Sequence, residues 1–291
     1  MPEPPRLFRV GLILTERCDV ACRHCWFSCG PDRDATMSRG RAEAVIDQAR
    51  ALGARWVSFT GGEPFLERRL LLDLVAYASG RGLHTEAVTN CNWAKSQTGA
   101  LETLRPLAEA GLTALNMSVD DFHQEQIPLE RVRHCFEATK ELGLKPVFMV
   151  ATQKGSAITA RSLPDLLGDQ GIQLMGEPRK TRPSALAVET LFTPVGRGAQ
   201  VEAADLTMDA ATVRCESVLT DIGVTPRGDV LPCCGPLACR EDAVLGNIED
   251  EPLGEILSRA RNDSRFTRIL EGFDAGGGYA GRCDACHRLF G

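Results

Sequence analysis

The 291-residue chain has no apolar run approaching the roughly 18 residues that a membrane-spanning helix needs. No membrane span is therefore expected. Its start, Met1-Pro2-Glu3-Pro4-Pro5, lacks the basic residues and apolar core of a secretory signal. There is no long basic run, and the net charge is −6. Both argue against a nucleic-acid partner. With neither signal nor span, a cytoplasmic location is expected. Apolar residues make up 43% and charged residues 25%, which places the chain among ordinary globular proteins. Its length allows one large α/β barrel or two domains.

What the chain does have is cysteine, twelve in all. Disulfides are disfavoured in a reducing compartment, so this many thiols point to metal or redox use. They cluster as Cys18, Cys22, Cys25 and Cys29, as Cys215, Cys233, Cys234 and Cys239, and as Cys283 and Cys286. Cys91 and Cys135 stand alone. Two distant groups suggest two metal sites.

Cys18, Cys22 and Cys25 follow the apolar run Phe8–Leu14. Three thiolates in one loop can hold a soft metal or an iron–sulfur cluster. On a [4Fe–4S] cube they leave one iron without a protein ligand. A structural zinc site instead prefers four ligands in paired two-residue knuckles.

Phe8–Leu14 opens a regular alternation. Ala42, Val45, Ile46, Ala49 and Leu52 recur at helical spacing, closed by Gly53. Strands are expected at 55–60, 84–89, 112–119 and 146–152, and helices at 66–80, 98–110, 129–142 and 162–168. A sixth strand is expected near Leu191–Thr193, and 176–187 reads as a mobile polar loop near the site. Such repeats predict a parallel sheet with helices outside it, an α/β partial (β/α)6 TIM-like barrel. Ligands then lie beyond the carboxyl ends of the strands. The cysteine loop, Gly61-Gly62-Glu63-Pro64, Asn90 and Ser118-Val119-Asp120-Asp121 all fall there. His123 and Gln124 follow directly. The alternation stops near residue 200, so domains of 1–200 and 201–291 are expected.

In the second domain, the stretch from Ile222 to Cys233 reads as a hairpin turning at Arg227-Gly228. It would bring Cys215 and Cys233 near each other. With the Cys283-Asp284-Ala285-Cys286 knuckle they make four thiolates. That is enough for a closed cube or for a four-cysteine zinc site. Cys234 and Cys239 are surplus: ligand alternatives, hydrogen-atom donors or small buried hydrophobes. Cys29 and Cys91 are expected on the active rim, and Cys135 in the core.

The spacing Cys18-x3-Cys22-x2-Cys25, with the ring of His24 before the last cysteine and Gly61-Gly62-Glu63 after the second strand, resembles the radical S-adenosylmethionine superfamily. The later cysteines resemble its twitch form of the SPASM auxiliary domain. The resemblance implies two [4Fe–4S] clusters and S-adenosylmethionine. Cys18, Cys22 and Cys25 would ligate the first cluster, and Cys215, Cys233, Cys283 and Cys286 the second. It assigns the cofactor to His24, Gly61, Gly62, Glu63, Pro64, Asn90, Ser118, Asp120 and Arg197, with the Glu63 carboxylate facing the methionine ammonium. Asp121, His123, Cys234 and Cys239 are the candidates for substrate chemistry. It implies an enzyme that cleaves S-adenosylmethionine to a 5′-deoxyadenosyl radical and removes hydrogen from a small polar natural-product intermediate, as in antibiotic biosynthesis. Dehydrogenation, epimerisation or sulfur insertion would follow. A maturase of a ribosomally made peptide is the alternative, and a bare electron carrier the non-enzymatic one. The electron would come from a flavodoxin or ferredoxin.

Overall fold

The computed structural model describes residues 6–178, 182–201 and 212–290. The expectations for Met1–Pro5, for 179–181 of the polar loop and for 202–211 beside the domain boundary lie outside the described residues. Strand β1 (Arg9–Thr15) leads into the cysteine loop. Helix α1 (Arg39–Ala51) starts where the Ser38 side chain accepts from the Arg41 N–H, a standard N-cap. It turns Ala42, Val45, Ile46 and Ala49 onto the sheet. The chain continues through β2 (Trp56–Gly61), α2 (Arg68–Ser79), β3 (His84–Thr89), α3 (Gln97–Glu109) and β4 (Ala114–Ser118). A single turn, α4 (Asp121–Gln124), precedes α5 (Leu129–Glu141), β5 (Lys145–Thr152) and α6 (Leu163–Leu167). Strands β1 to β5 lie side by side in sequence order, all parallel.

The sixth unit departs from expectation. A short edge strand, β6 (Ile172–Leu174), comes first. Then β7 (Ala185–Leu191) inserts between β5 and β6, parallel to both. The strand expected at Leu191–Thr193 therefore ends at Leu191, and the polar loop ends before Ala185. The reason is compositional. The buried positions of β7 are Ala185 and Ala187, which carry little strand signal.

The C-terminal part comprises β8 (Thr212–Val213), β9 (Asp221–Val224), β10 (Asp229–Leu231) and β11 (Gly246–Asn247), then α7 (Leu253–Ala260), α8 (Ser264–Glu271), β12 (Phe273–Asp274) and α9 (Arg282–Leu289). Strands β9 and β10 form the antiparallel hairpin anticipated from Arg227-Gly228. Strand β9 also pairs in parallel with β1, Arg9 opposite Asp221, so the hairpin extends the barrel sheet to ten strands. The guanidinium of Arg9 donates to both oxygens of Asp221 and, at 2.8 Å, to Glu86, joining β9, β1 and β3. Helix α7 buries Leu253, Ile256 and Leu257 in the same core as the barrel helices. A second core gathers Val213, Leu237, Phe266, Ile269 and Phe290.

Along the strands Ala87, Met117, Phe148, Val150 and Ala187 lie in the main core. Their alternating neighbours Val88, Ser118, Met149, Ala151 and Val188 are only half-buried. The period of two assigns these to the inner face, so the barrel has a partly accessible lumen.

Candidate functional site

The loop after β1 closes on itself through Cys18 N–H to the Gly30 carbonyl (3.1 Å) and Gly30 N–H to that of Glu16 (3.2 Å). Cys18, Cys22 and Cys29 are buried, and Cys25 is half-buried. They pack with Val20, Phe27 and Ile127. Burial pushes the Cys18 and Cys22 thiols up to about 12. Cys25 is pulled down, first by a hydrogen bond from Cys29. Among the described residues only His24, Asp120 and His123 bring three donor atoms within 4.8 Å of one another. No three cysteine sulfurs do. Sulfurs on one zinc would lie about 3.8 Å apart, whereas those of a cube sit on separate irons. Three thiols carried on one loop are the donor set an iron–sulfur cluster takes.

The turn after β2 presses against this loop. A Cβ on Gly62 would fall on the Arg17 carbonyl, and one on Gly61 on that of Thr15. The Glu63 carboxylate, 0% exposed, accepts from Phe65 N–H (3.1 Å), Thr89 Oγ1 (3.1 Å) and Asn90 N–H (2.8 Å). Burial pushes it up to about 8 against the pull of those donors. It therefore knits the ends of β2 and β3 together. Pro64, also buried, starts the short 3-10 turn that follows.

Asp120 caps α4 from the end of β4. It accepts from His123 N–H and His123 Nδ1, both at 2.9 Å, and from Ala151 N–H at 3.3 Å. His24 Nε2 lies 3.9 Å away. Burial opposes the charge on both Asp120 and His123, yet their mutual attraction lowers the one and raises the other. The His24 ring stacks on Phe122 (4.6 Å, 14°) and meets His123 edge-on (4.7 Å). Burial, then the His123 charge, holds His24 down at about 4. Its Nδ1 is buried with no partner. Asp121 is otherwise engaged: its carboxylate takes the N–H groups of Ala157 (2.8 Å) and Ile158 (3.0 Å).

Arg197 reaches back across the site to the cysteine loop. Its Nη1 donates to the Cys22 carbonyl (2.8 Å), its Nη2 to that of Cys29, and its backbone N–H to that of Cys25 (3.1 Å). Gly196, at φ +59°, allows the approach, since a Cβ there would strike the Trp26 carbonyl. Sequence reasoning placed Arg197 near the cofactor but missed this grip on the backbone. It also missed Asp19, which accepts from Asn90 Nδ2 (2.8 Å) and Asn92 Nδ2 (2.9 Å). A run of Asn90-Cys91-Asn92 beyond a strand end was the available signal.

Cys234 Sγ donates to the Ile222 carbonyl (3.3 Å) and lies against Gly11, on the inner face of β1. Cys239 Sγ donates to the Trp26 carbonyl (3.3 Å), beside the first cysteine loop. Cys91, expected on the rim, is fully buried in the same core as Cys135, because the chain turns inward there at φ +64°. Cys215 and Cys233 pack against the second core, which includes Cys286. Burial, then repulsion from Cys215 and Cys283, pushes Cys286 up to about 12. Gly235 N–H donates to Cys233 Sγ (3.4 Å). The fourth thiol, Cys283, is exposed, one turn from Cys286 on α9.

Two family models match the parts of the chain that carry the two cysteine groups. Residues 12–152 match the radical SAM superfamily, and residues 215–287 match SPASM, an iron–sulfur cluster-binding domain. Between them the two matches give the chain a radical SAM region followed by a SPASM-type C-terminal domain. The two domains imply S-adenosylmethionine and a [4Fe–4S] cluster, with further iron–sulfur in the C-terminal part. It is 24% identical to a PqqA peptide cyclase of Xanthomonas campestris pv. campestris, over 90% of this chain and 76% of that one. Its fold is similar to Streptococcus suis SuiB bound to S-adenosylmethionine (TM-score 0.63, 13% identity, 94% of this chain and 73% of that one). It is also similar to BtrN in complex with AdoMet and 2-DOIA (TM-score 0.54, 17% identity, 97% and 93%). The chain spans about two fifths of the length of the first curated relatives it matches, 42% and 40%. Among the described residues no helix is long and apolar enough to cross a membrane.

Proposed function

We propose that this chain removes a hydrogen atom from a substrate held in the barrel lumen, and that the substrate is a residue of a ribosomally made peptide. The observation that carries the peptide reading is the similarity to the PqqA peptide cyclase, which runs over 90% of this chain. A second reading, the small polar intermediate expected from the sequence, is favoured by BtrN, of which this chain covers 93%.

In either reading Cys18, Cys22 and Cys25 would hold the first cluster within domain 1–200. Cys215, Cys233, Cys283 and Cys286 would hold the second within domain 201–291. When bound, the first cluster and S-adenosylmethionine supply the radical that abstracts hydrogen. Glu63 and Arg197 fix the loops that carry the ligands. The unpaired Nδ1 of His24, with Gly61, Gly62, Ser118 and Asp120, lines the side where S-adenosylmethionine would lie. Asp120 holds His123 in one orientation, with its Nε2 left for substrate. Cys239, beside Trp26 and the first cysteine loop, is better placed for hydrogen-atom return in an epimerisation than Cys234, which lies against Gly11 near Arg9 and Asp221 at the strand starts. A flavodoxin or ferredoxin would deliver the electron.

The test is anaerobic turnover of the reconstituted protein with dithionite and S-adenosylmethionine. Short peptides encoded beside its gene are compared with a panel of aminocyclitols and nucleosides. A peptide should raise 5′-deoxyadenosine formation and change mass or take up solvent deuterium. Turnover of a small molecule, with no response to any peptide, would overturn the peptide reading.

A further inference from the structure

The side chain of Asn90 is 5% exposed and its amide can face only one way. Oδ1 accepts from Asn92 N–H at 2.8 Å, so the NH2 group points to the cysteine loop. There Nδ2 stands 2.8 Å from Asp19 Oδ1 and 3.6 Å from Cys18 Sγ. The backbone is held as well, by Asn90 N–H to Glu63 Oε2 at 2.8 Å. The other oxygen of Asp19 takes Asn92 Nδ2 at 2.9 Å, which keeps that carboxylate in place beside the amide.

We infer that Asn90 is a positioning residue of the first cluster, whose amide hydrogen-bonds the Cys18 thiolate and holds the cluster at a higher reduction potential. The inference rests on the reading of Cys18 as a ligand. Hydrogen bonds to ligand sulfur draw charge away from it and favour the reduced form, which carries one more electron. The Asp19 carboxylate next to Cys18 pushes the other way, and the same amide meets its charge. This differs from contact with S-adenosylmethionine, the role the sequence alone assigns to Asn90. The two roles have separate readouts.

The experiment uses the full chain with its clusters reconstituted and Asn90→Leu, which is similar in size and has no donor. An EPR-monitored titration with dithionite as the electron source follows the reduced signal that changes when S-adenosylmethionine is added. At the wild-type midpoint the variant's ratio of reduced to oxidised cluster should fall about tenfold, a one-electron shift of about 59 mV. Its Kd for S-adenosylmethionine should stay within about twofold of wild type. Asn90→Ser, whose hydroxyl is too short to reach the sulfur, should shift the same way and carries the test if the leucine variant loses iron. An unchanged midpoint in a variant that keeps its iron overturns the inference. So does weaker S-adenosylmethionine binding at an unchanged midpoint. Cys18→Ala separates the layers. If it keeps the responsive signal, the ligand reading fails and this inference with it. If it loses the signal while the Asn90 variants titrate like wild type, only the inference fails.

Discussion

The guanidinium of Arg197 donates to the carbonyl of Cys22 at 2.8 Å, although 175 residues separate them. The segment after the sixth barrel unit thus holds the cysteine loop that follows the first. Hydrogen bonds to a charged donor contribute about 1.5–3 kcal/mol. Arg197→Ala removes the side-chain bonds to Cys22 and Cys29 and should lower stability by about 2 kcal/mol, read by urea unfolding of the reconstituted protein. It should also release iron from the first cluster faster under a chelator. Iron loss at the wild-type rate would mean the loop holds its shape unaided.

Glu63 makes a separate prediction. Each of its carboxylate oxygens accepts a backbone N–H, from Phe65 on one side and Asn90 on the other. The amide of Glu63→Gln must turn its NH2 group toward one of them. A buried donor left facing a donor costs about 1–3 kcal/mol. The variant should melt earlier, while calorimetry gives a Kd for S-adenosylmethionine close to wild type in the folded fraction. A tenfold weaker Kd at unchanged stability would return Glu63 to the ligand.

Much of this site was legible because its chemistry is local in sequence. Cys18, Cys22 and Cys25 share one loop, and Gly61-Gly62-Glu63 one turn. Helix periodicity placed α1 and α5 within a residue or a few of where they lie. What escaped the reading is contact between distant segments. Nothing near Arg197 says that its guanidinium reaches Cys22, or that β9 would pair with β1. The strand β7 was misplaced because alanines buried at 185 and 187 look like loop beside Pro178 and Pro183. The partners of the Asp121 carboxylate, the N–H groups of Ala157 and Ile158, lie some 36 residues on and leave no mark beside it in the sequence.

The second cysteine set should be separable from the first. Cys283→Ala with Cys286→Ala removes half of the four proposed ligands. Because Cys286 packs in the second core, that part of the chain should also unfold at lower urea, as metal-dependent domains do. The variant should retain about four irons of about eight and some cleavage of S-adenosylmethionine, while losing product. Full product formation at the wild-type rate would rule out a role for the second cluster in turnover.

On the proposed function, the loop at Cys18, Cys22 and Cys25 would hold a [4Fe–4S] cluster whose fourth iron is open to S-adenosylmethionine. The most direct test is the EPR spectrum of the dithionite-reduced protein, recorded with and without S-adenosylmethionine, in wild type and in the variant with all three cysteines changed to alanine. Wild type should carry about eight irons and show a signal that shifts when S-adenosylmethionine is added. The triple variant should carry about four and show no shift. A triple variant that keeps all its iron, or a wild-type spectrum indifferent to S-adenosylmethionine, would contradict the account.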